Sequence, residues 1–448
     1  MDRPNIIVLL ADQHRWDCTG YAGNADLRTP NLDALAGHGV SFTQAVCPYA
    51  LCVPSRVTLM TGQYVSTHGV AGNRDGLPAT ATTLPGLLHA AGYDTACVGK
   101  MHFNPTYANY AFNVMRLSEQ DGDGRNEDDY HKWLEKQGEI DQIDVWDQVN
   151  RDSAPPEYWD SFGAMRSNLP EALHSTRWVG DQAVRFLQRA REPFFLWAGF
   201  IKPHHPFDPP EPWDRLYDPR ELSLPEGCRF PPPEEDTRRE AFFDLRDMTE
   251  DRFRRVLAYY YANISHMDEQ IGRILATLTS RGFTNNVVVY CADHGDYMGQ
   301  HGLILKGGAR PYDALLRVPL LIAGVGGQRR GYTDPALAQL TDVTPTLLEA
   351  AAVAVPDTVE GSSLVPQLRR SDVPLRDVAF VEGGGGLKVA RTQRYKLIET
   401  SDADLRALYD LDNDPHEYDN RYGHAEMSRV QAELEAQLTS FVNRPRPA

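Results

Sequence analysis

The sequence lacks the features typical of membrane proteins and of nucleic-acid-binding proteins. No apolar run reaches the roughly 20 residues that a membrane-spanning helix needs. Basic residues are outnumbered, with 45 Lys and Arg against 62 Asp and Glu, for a net charge of −17. Neither nucleic acid nor an anionic membrane is therefore expected as a partner. A small anionic substrate remains compatible with this charge, because clustered cations and a metal reverse the potential locally.

Cysteine is scarce, and its spacing is not that of a disulfide framework. The six cysteines lie at positions 18, 47, 52, 97, 228 and 291. The N-terminus shows no signal peptide, because residues 1–4 lead directly into the apolar run 5–10, which predicts a buried strand. Thiols of a chain without an export signal are expected to stay reduced. We therefore predict a cytoplasmic protein.

Apolar strand-like runs alternate with helical patterns over most of the chain. The runs cover 5–10, 93–98, 193–200 and 286–291, and the helical patterns cover 30–38, 55–61, 83–91, 177–191 and 253–281. This alternation predicts an α/β fold with a large, mostly parallel sheet sandwiched by helices. No internal repeat is visible.

The length of 448 residues fits one large domain with an appendage. We predict a catalytic α/β domain over 1–370. Within it, the acidic, turn-rich segment 104–170 is interpreted as a surface insertion over one edge of the site. Strand-like alternation at 387–399 and a helical pattern at 425–442 predict a small C-terminal α+β subdomain over 371–448.

Polar and charged residues follow the predicted strands at their carboxyl ends. They are Asp12, Lys100, His102, Lys202, His204, Asp293 and His294. Ligands of parallel α/β sheets bind at this edge, so these side chains are expected to converge on one site.

The segment Cys52-Val53-Pro54-Ser55-Arg56 continues to Thr61-Gly62. A lone cysteine is more often a buried apolar side chain than a reactive group. Here the whole segment is similar to the signature of the type I sulfatases, the formylglycine-dependent family of the alkaline phosphatase superfamily. Further blocks resemble that family in order along the chain, at 11–13, 29–33, 99–102, 202–206, 292–296, 299–302, 306, 408–411 and 414–415.

The resemblance implies that a formylglycine-generating enzyme oxidises Cys52 to an aldehyde, which hydrates to a geminal diol. One diol oxygen attacks the sulfur of a sulfate monoester and forms a covalent sulfated enzyme. The second hydroxyl then allows collapse to the aldehyde and release of sulfate. Because the substrate is anionic, the nucleophile needs a metal to overcome charge repulsion.

The resemblance also implies a set of metal ligands, namely Asp12, Gln13, Asp293 and His294 together with the diol of residue 52. Hard oxygen donors favour calcium, with magnesium or manganese as alternatives. Many family members have a second aspartate in place of Gln13 and an asparagine in place of His294, and both differences favour manganese.

The remaining site residues are also carried over from the family. Arg56 stabilises the alkoxide of the diol, and Lys100 and Lys306 neutralise sulfate oxygens. His102 is the base for sulfate release, and His204 acts with Lys306 on the leaving group. Two further residues are less specific: Asn73 faces the substrate or supports the metal shell, and His205 lines the leaving-group side. For His301, a structural role in its loop is as well supported as a role in the site.

Three functions remain open for this site. The first is a sulfatase acting on a small organic or sugar sulfate, favoured by the pair Lys100 and His102. The second is a formylglycine-dependent phosphonate or phosphate ester hydrolase, whose pattern also includes Gln13 and His294. The third is a non-catalytic module that binds sulfated ligands. Sugar, choline and aryl leaving groups all fit the sequence, which also leaves the oligomeric state open.

Overall fold

The computed structural model describes residues 3–120, 122–232, 242–306, 310–370 and 375–446. Within them the strands are β1 Asn5–Asp12, β2 Gly39–Phe42, β3 Asp94–Gly99, β4 Val114–Leu117, β5 Phe194–Pro203, β6 Asn286–Ala292, β7 Leu320–Ala323, β8 Tyr332–Asp334, β9 Ala379–Glu382, β10 Lys388–Arg391, β11 Tyr395–Glu399 and β12 Ala407–Asp410.

The α-helices in the same part of the chain are α1 Pro30–His38, α2 Cys52–Thr61, α3 Val65–His68, α4 Leu84–Ala90, α5 Gly122–Glu127, α6 Asp129–Lys136, α7 Gln142–Asp144, α8 Pro156–Asp160, α9 Ser175–Leu187, α10 Glu250–Ser280, α11 Asp313–Leu316, α12 Val343–Ala350, α13 Val365–Arg369 and α14 Ser428–Val442. A π-helical turn, Val145–Val149, follows α7. None of these helices is long and apolar enough to cross a membrane.

Eight strands form the main sheet, in the order β4-β3-β5-β1-β6-β7-β2-β8. All neighbours are parallel except β7, which runs antiparallel to both β6 and β2. The prediction of a large, mostly parallel sheet is confirmed, whereas the reversed strand β7 had no signal in the sequence. A four-residue apolar strand carries no information about its direction.

The central strand β1 is buried along its whole length. It pairs in parallel with β5 on one side and β6 on the other, so Ile7 lies between Leu196 and Val288. Helices α9 and α10 pack against each other and against β5. A strand covered on both faces needs apolar residues at every position, which explains its continuous apolar sequence.

A second sheet of four antiparallel strands has the order β12-β11-β10-β9. Helix α14 packs on β10 and β11 over a small core that includes Leu397, Leu408 and Leu438. A buried ion cluster connects this sheet to α11, since Asp313 pairs with both Arg391 and Lys396. The predicted boundary between 370 and 371 adjoins residues 371–374, which lie outside the described residues.

Two local expectations differ from the structure. Part of the predicted surface insertion, Val114–Leu117, is the edge strand β4 of the main sheet and pairs in parallel with β3. Helix α2 begins at Cys52 and not at Ser55. Pro54 is accommodated because the amides of the first helical turn have no partner within the helix, so the missing N–H of proline costs nothing there.

Candidate active site

Adjacent parallel strands bring the predicted residues to one edge of the sheet. Asp12 is the last residue of β1 and lies opposite Pro203 of β5, next to His204. Asp293 and His294 follow β6, the other neighbour of β1. The convergence expected from the strand ends is therefore present, because the carboxyl ends of β5, β1 and β6 lie side by side.

Three of these strand-end groups and Cys52 form a compact cluster of candidate metal ligands. One ligand atom each from Asp12, Cys52, Asp293 and His294 lies within 4.8 Å of every other, and all four residues are buried. Sγ of Cys52 is 3.6 Å from Oδ1 of Asp12 and 3.4 Å from Nε2 of His294. Nδ1 of His294 donates to the carbonyl of Gly295 at 2.9 Å, so Nε2 is the ring nitrogen that faces the cluster.

Gln13 supplies a further oxygen donor beside this cluster. Its backbone has a φ of 63°, and its side-chain Nε2 donates to Oδ2 of Asp296 at 2.7 Å. The opposite atom, Oε1, is buried and has no hydrogen-bond partner among the described residues. A buried acceptor without a partner costs about 1–3 kcal/mol. A divalent cation would satisfy it, so Asp12, Gln13, Asp293 and His294 fit a metal site.

Arg56 holds the two carboxylates of the cluster together. Its Nε donates to Oδ2 of Asp293 at 2.8 Å and its Nη2 to Oδ2 of Asp12 at 3.1 Å. Its Nη1 donates to the carbonyl of Lys100. Burial lowers the pKa of Arg56, but the charges of Asp293 and Asp12 outweigh burial and raise it. This guanidinium is therefore always charged.

Two lysines add positive charge next to the cluster. Nζ of Lys100 is 2.7 Å from Oδ2 of Asp12 and donates to Oε1 of Gln120 at 3.0 Å. Nζ of Lys306 is 2.8 Å from Sγ of Cys52 and 3.1 Å from Nε2 of His294. The site thus combines a cation-binding group of oxygens with cations placed to hold an anion.

The pKa of the Cys52 thiol reflects this arrangement. Burial raises it, but the charges of Lys306, Lys100 and His294 outweigh burial and hold the pKa well below its usual value. Burial and the charge of Asp12, in contrast, raise the pKa of Asp293 despite Arg56. Residue 52 therefore occupies a position at which a negative charge is stabilised, as a nucleophile requires.

His102 is placed beside Cys52 by a buried carboxylate. Its backbone has a φ of 58°, and Oε1 of Glu119 accepts the backbone N–H groups of Met101 and His102, each at 2.9 Å. The imidazole interacts with the Cys52 sulfur and lowers its pKa. No sequence pattern pointed to Glu119, which lies in the segment interpreted as an insertion.

His204 and His205 are stacked, with ring centroids 4.1 Å apart. Nδ1 of His204 donates to the carbonyl of His205 at 2.6 Å, and Nδ1 of His205 is 2.7 Å from Oδ2 of Asp147. Burial, His205, Lys306 and Lys100 together hold the pKa of His204 well below its usual value. The charges of both lysines, Lys100 and Lys306, therefore act on the His204 ring.

The remaining predicted residues lie at the periphery. Oδ1 of Asn73 accepts the backbone N–H of Val53 at 3.2 Å, which places this amide at the start of α2 beside Cys52. The ring of His301 stacks on Tyr312 with centroids 3.7 Å apart, and its Nε2 donates to the carbonyl of His416 at 2.9 Å. These contacts fit the structural interpretation of His301.

Comparisons with known proteins agree with this geometry. The family model described as Sulfatase matches residues 4–353, and the model described as N-sulphoglucosamine sulphohydrolase, C-terminal, matches residues 299–444. An arylsulfatase of Clostridium perfringens is 32% identical to this chain, over 93% of this chain and 90% of its own length. A choline-sulfatase of Rhizobium meliloti is 29% identical, over 93% and 82% respectively. The crystal structure of a phosphonate monoester hydrolase of Agrobacterium radiobacter superposes with a TM-score of 0.83 at 26% identity, covering 98% of this chain and 95% of that one.

Proposed function

The chain belongs to the type I sulfatase family of sulfuric ester hydrolases, and from that premise we propose that it hydrolyses a small organic or sugar sulfate through a formylglycine derived from Cys52. The position of Sγ carries the proposal. This atom is buried at the start of α2, in contact with Lys306 and between candidate metal ligands. Replacing sulfur by the oxygens of a hydrated aldehyde puts the nucleophile at the same point.

The reaction needs the two hydroxyls of the diol for different steps. One oxygen attacks sulfur, and the bond between sulfur and the ester oxygen breaks. His102, which Glu119 holds beside residue 52, then takes the proton of the second hydroxyl. Collapse to the aldehyde expels sulfate and restores the enzyme. A serine or an unmodified cysteine lacks the second hydroxyl and would remain sulfated.

Cations of the chain hold the sulfate group during both steps. Lys100 and Lys306 neutralise charge on its oxygens, and Arg56 fixes the carboxylates that surround the nucleophile. Preorganised charges in a buried site stabilise a transition state more than they would in water. His204 lies on the leaving-group side, where Lys306 also reaches. Asn73, which accepts the backbone N–H of Val53 at the start of α2, would face the substrate from beside residue 52.

Asp12, Gln13, Asp293 and His294 would hold one divalent metal ion. When bound, the metal lowers the pKa of the nucleophilic hydroxyl and screens the charge of the substrate. Two carboxylates and an amide oxygen favour calcium, with magnesium as an alternative for the same oxygens, and the imidazole of His294 favours manganese as the other alternative. The six free cysteines are consistent with a reducing, cytoplasmic location.

A phosphonate or phosphate ester hydrolase that uses the same nucleophile is the second candidate. With Gln13 and His294 in place of the commoner aspartate and asparagine, the ligand set carries one negative charge fewer. A bound metal would therefore present more net positive charge to the substrate. Lys100 and His102 favour sulfate release by the route described above. A non-catalytic binding module is the weakest alternative, because every position that the reaction needs holds a suitable group.

The test combines mass spectrometry and kinetics on protein co-expressed with a formylglycine-generating enzyme. The peptide containing residue 52 should lose sulfur and two hydrogens and gain one oxygen. The modified enzyme should hydrolyse 4-nitrophenyl sulfate with a higher kcat/KM than 4-nitrophenyl phenylphosphonate, and Cys52→Ala should do neither. A higher kcat/KM for the phosphonate would support the second candidate. Full activity in protein that retains unmodified Cys52 would refute the formylglycine mechanism.

A further inference from the structure

A second group of side chains suited to a metal ion lies between α10 and the turn that precedes α9. It consists of Glu171, His266 and Glu269. One ligand atom of each residue lies within 4.8 Å of the ligand atoms of the other two. None of the three belongs to the candidate active site, and no pattern in the sequence pointed to them.

Helix α10 supplies two of the three side chains from one face. His266 and Glu269 are three residues apart, the spacing that places two side chains of a helix next to each other. Metal sites of helical bundles use the same spacing for a glutamate and a histidine. Glu171 completes the group from the turn Glu171–Leu173, 95 residues before His266. An ion bound by all three would therefore link two distant segments of the chain.

The distance between His266 and Glu171 fits two ligands of one ion better than it fits a hydrogen bond. Nε2 of His266 is 3.4 Å from Oε1 of Glu171. An N–H···O hydrogen bond is usually about 2.7–3.2 Å long. Two ligands that are each about 2.1 Å from a tetrahedral zinc ion lie about 3.4 Å apart. These two atoms are thus separated as neighbouring zinc ligands are.

The imidazole of His266 is fully buried and packed between aromatic rings. Its centroid is 5.0 Å from that of Trp213, at an interplanar angle of 24°, and 5.3 Å from that of His174. Nδ1 has no hydrogen-bond partner among the described residues, so Nε2 makes the ring's polar contact there. Buried polar groups without a good hydrogen bond are unfavourable, and a metal bond at Nε2 would remove part of that cost.

Both carboxylates are oriented by donors that leave acceptor positions for an ion. Nη1 of Arg177 donates to Oε1 and Oε2 of Glu171 at 3.1 and 3.3 Å. Nε2 of Gln270 donates to Oε2 of Glu269 at 3.1 Å. A carboxylate has about four acceptor positions, so these bonds do not occupy all of them. Carboxylates that bind metals are commonly hydrogen-bonded in this way.

The charges around the group favour a cation. Arg177 and Arg273 both pair with Asp181, at 3.2 and 2.6 Å. Two arginines therefore face three carboxylates, and the group keeps a net negative charge. The side chain of Glu171 is 23% exposed and Glu269 is exposed, so an ion can enter from solvent. One imidazole and two carboxylates suit zinc, whereas calcium takes about 6–8 oxygen ligands.

We propose that Glu171, His266 and Glu269 bind one zinc ion, with water as the fourth ligand. The ion would fasten the turn before α9 to α10. Both helices pack on β5, the strand that ends next to His204. Bound zinc would stabilise these helices without taking part in the reaction. The inference does not rest on the proposed function.

The test is a zinc titration of the protein in excess calcium, with a chromophoric chelator as competitor. Glu269→Gln removes a ligand charge from an exposed position, so the variant should fold. It should weaken zinc binding by at least the about 10–100-fold that loss of an outer-shell partner costs. Glu250→Gln is the matched control, because it removes the same charge from an exposed glutamate of α10 that pairs with Arg254. Its zinc affinity should equal that of the wild type.

Two further measurements locate the ion. Zinc should raise the melting temperature of the wild type and of Glu250→Gln, but not that of Glu269→Gln. In crystals grown with zinc, anomalous scattering should place the ion about 2.0–2.2 Å from Nε2 of His266 and from one oxygen of each glutamate. Equal zinc affinity in the wild type and Glu269→Gln, or no zinc binding in excess calcium, would overturn the proposal. A lack of sulfatase activity would count against the proposed function alone.

Discussion

Replacing Asp296 by asparagine is expected to weaken metal binding, although Asp296 is not itself a proposed ligand. Its Oδ2 accepts Nε2 of Gln13 at 2.7 Å, and its Oδ1 accepts the backbone N–H groups of Met298 and Leu305 at 2.7 and 2.9 Å. Asparagine has one oxygen. If that oxygen keeps the two backbone groups, the new NH₂ faces Nε2 of Gln13, and two donors oppose each other.

The way in which these two opposed donors rearrange determines how far metal affinity falls. The Gln13 amide can rotate so that Oε1 turns towards the introduced amide and its own NH₂ towards the metal position, which removes one oxygen ligand. Loss of an outer-shell partner of this kind typically lowers metal affinity about 10–100-fold, or about 1.4–2.8 kcal/mol. The Leu305 contact also links Asp296 to the loop that carries Lys306, so turnover at saturating metal should fall as well.

Metal affinity is measured by competition with a calibrated chelator, on protein stripped of metal and retitrated with calcium or manganese. The stabilisation against unfolding by a known concentration of metal gives an independent value, because a ligand that binds only the folded state shifts stability by an amount set by the ratio of its concentration to its Kd. Asp268→Asn, with the same pattern of two backbone and one amide partners, should lower stability without changing metal affinity. Unchanged affinity in Asp296→Asn would refute the proposed orientation of Gln13.

Three further outcomes are expected. In His102→Ala, sulfated enzyme should accumulate, so stopped-flow absorbance should show a burst of phenol followed by slow turnover. Loss of both the burst and the turnover would contradict the role of His102 as the base for sulfate release. Asp313→Asn leaves the buried Arg391 and Lys396 with too little negative charge, and should lower the unfolding free energy by about 3–5 kcal/mol in urea titrations. A change below about 1 kcal/mol, which is what an exposed ion pair contributes, would contradict the stabilising role of this cluster. Burial lowers the pKa of His68 to about 4, so the folded state favours the neutral imidazole and loses stability relative to the unfolded state as pH falls from about 6.5 towards 4. Between pH 7.5 and 5 the unfolding free energy of the wild type should fall by about 2 kcal/mol more than that of His68→Asn. An equal dependence of unfolding free energy on pH in the two proteins would exclude His68 as the cause.

Local sequence was enough to predict the features that consist of neighbouring residues, namely the buried strands, the polar residues that follow them and the signature around Cys52. A continuous apolar run such as 5–10 predicts a strand buried on both faces, and a polar residue after it predicts a place at the functional edge. Asp12, Asp293 and His294 could be grouped for that reason alone. Cys52 was identified by its neighbours in sequence, Pro54 to Arg56, because the signature is contiguous.

Tertiary structure decided how those groups are held and oriented. Asp147 is 58 residues from His205, Asp296 is 283 residues from Gln13, and Glu119 is 17 residues from His102. A carboxylate that supports another side chain needs only a position in space, so it leaves no periodic or contiguous pattern in the sequence. The direction of the short strand β7 was hidden for a related reason, since apolar side chains do not differ between parallel and antiparallel neighbours. The sequence therefore predicted which groups form the candidate site, and the fold decided how those groups are oriented and held.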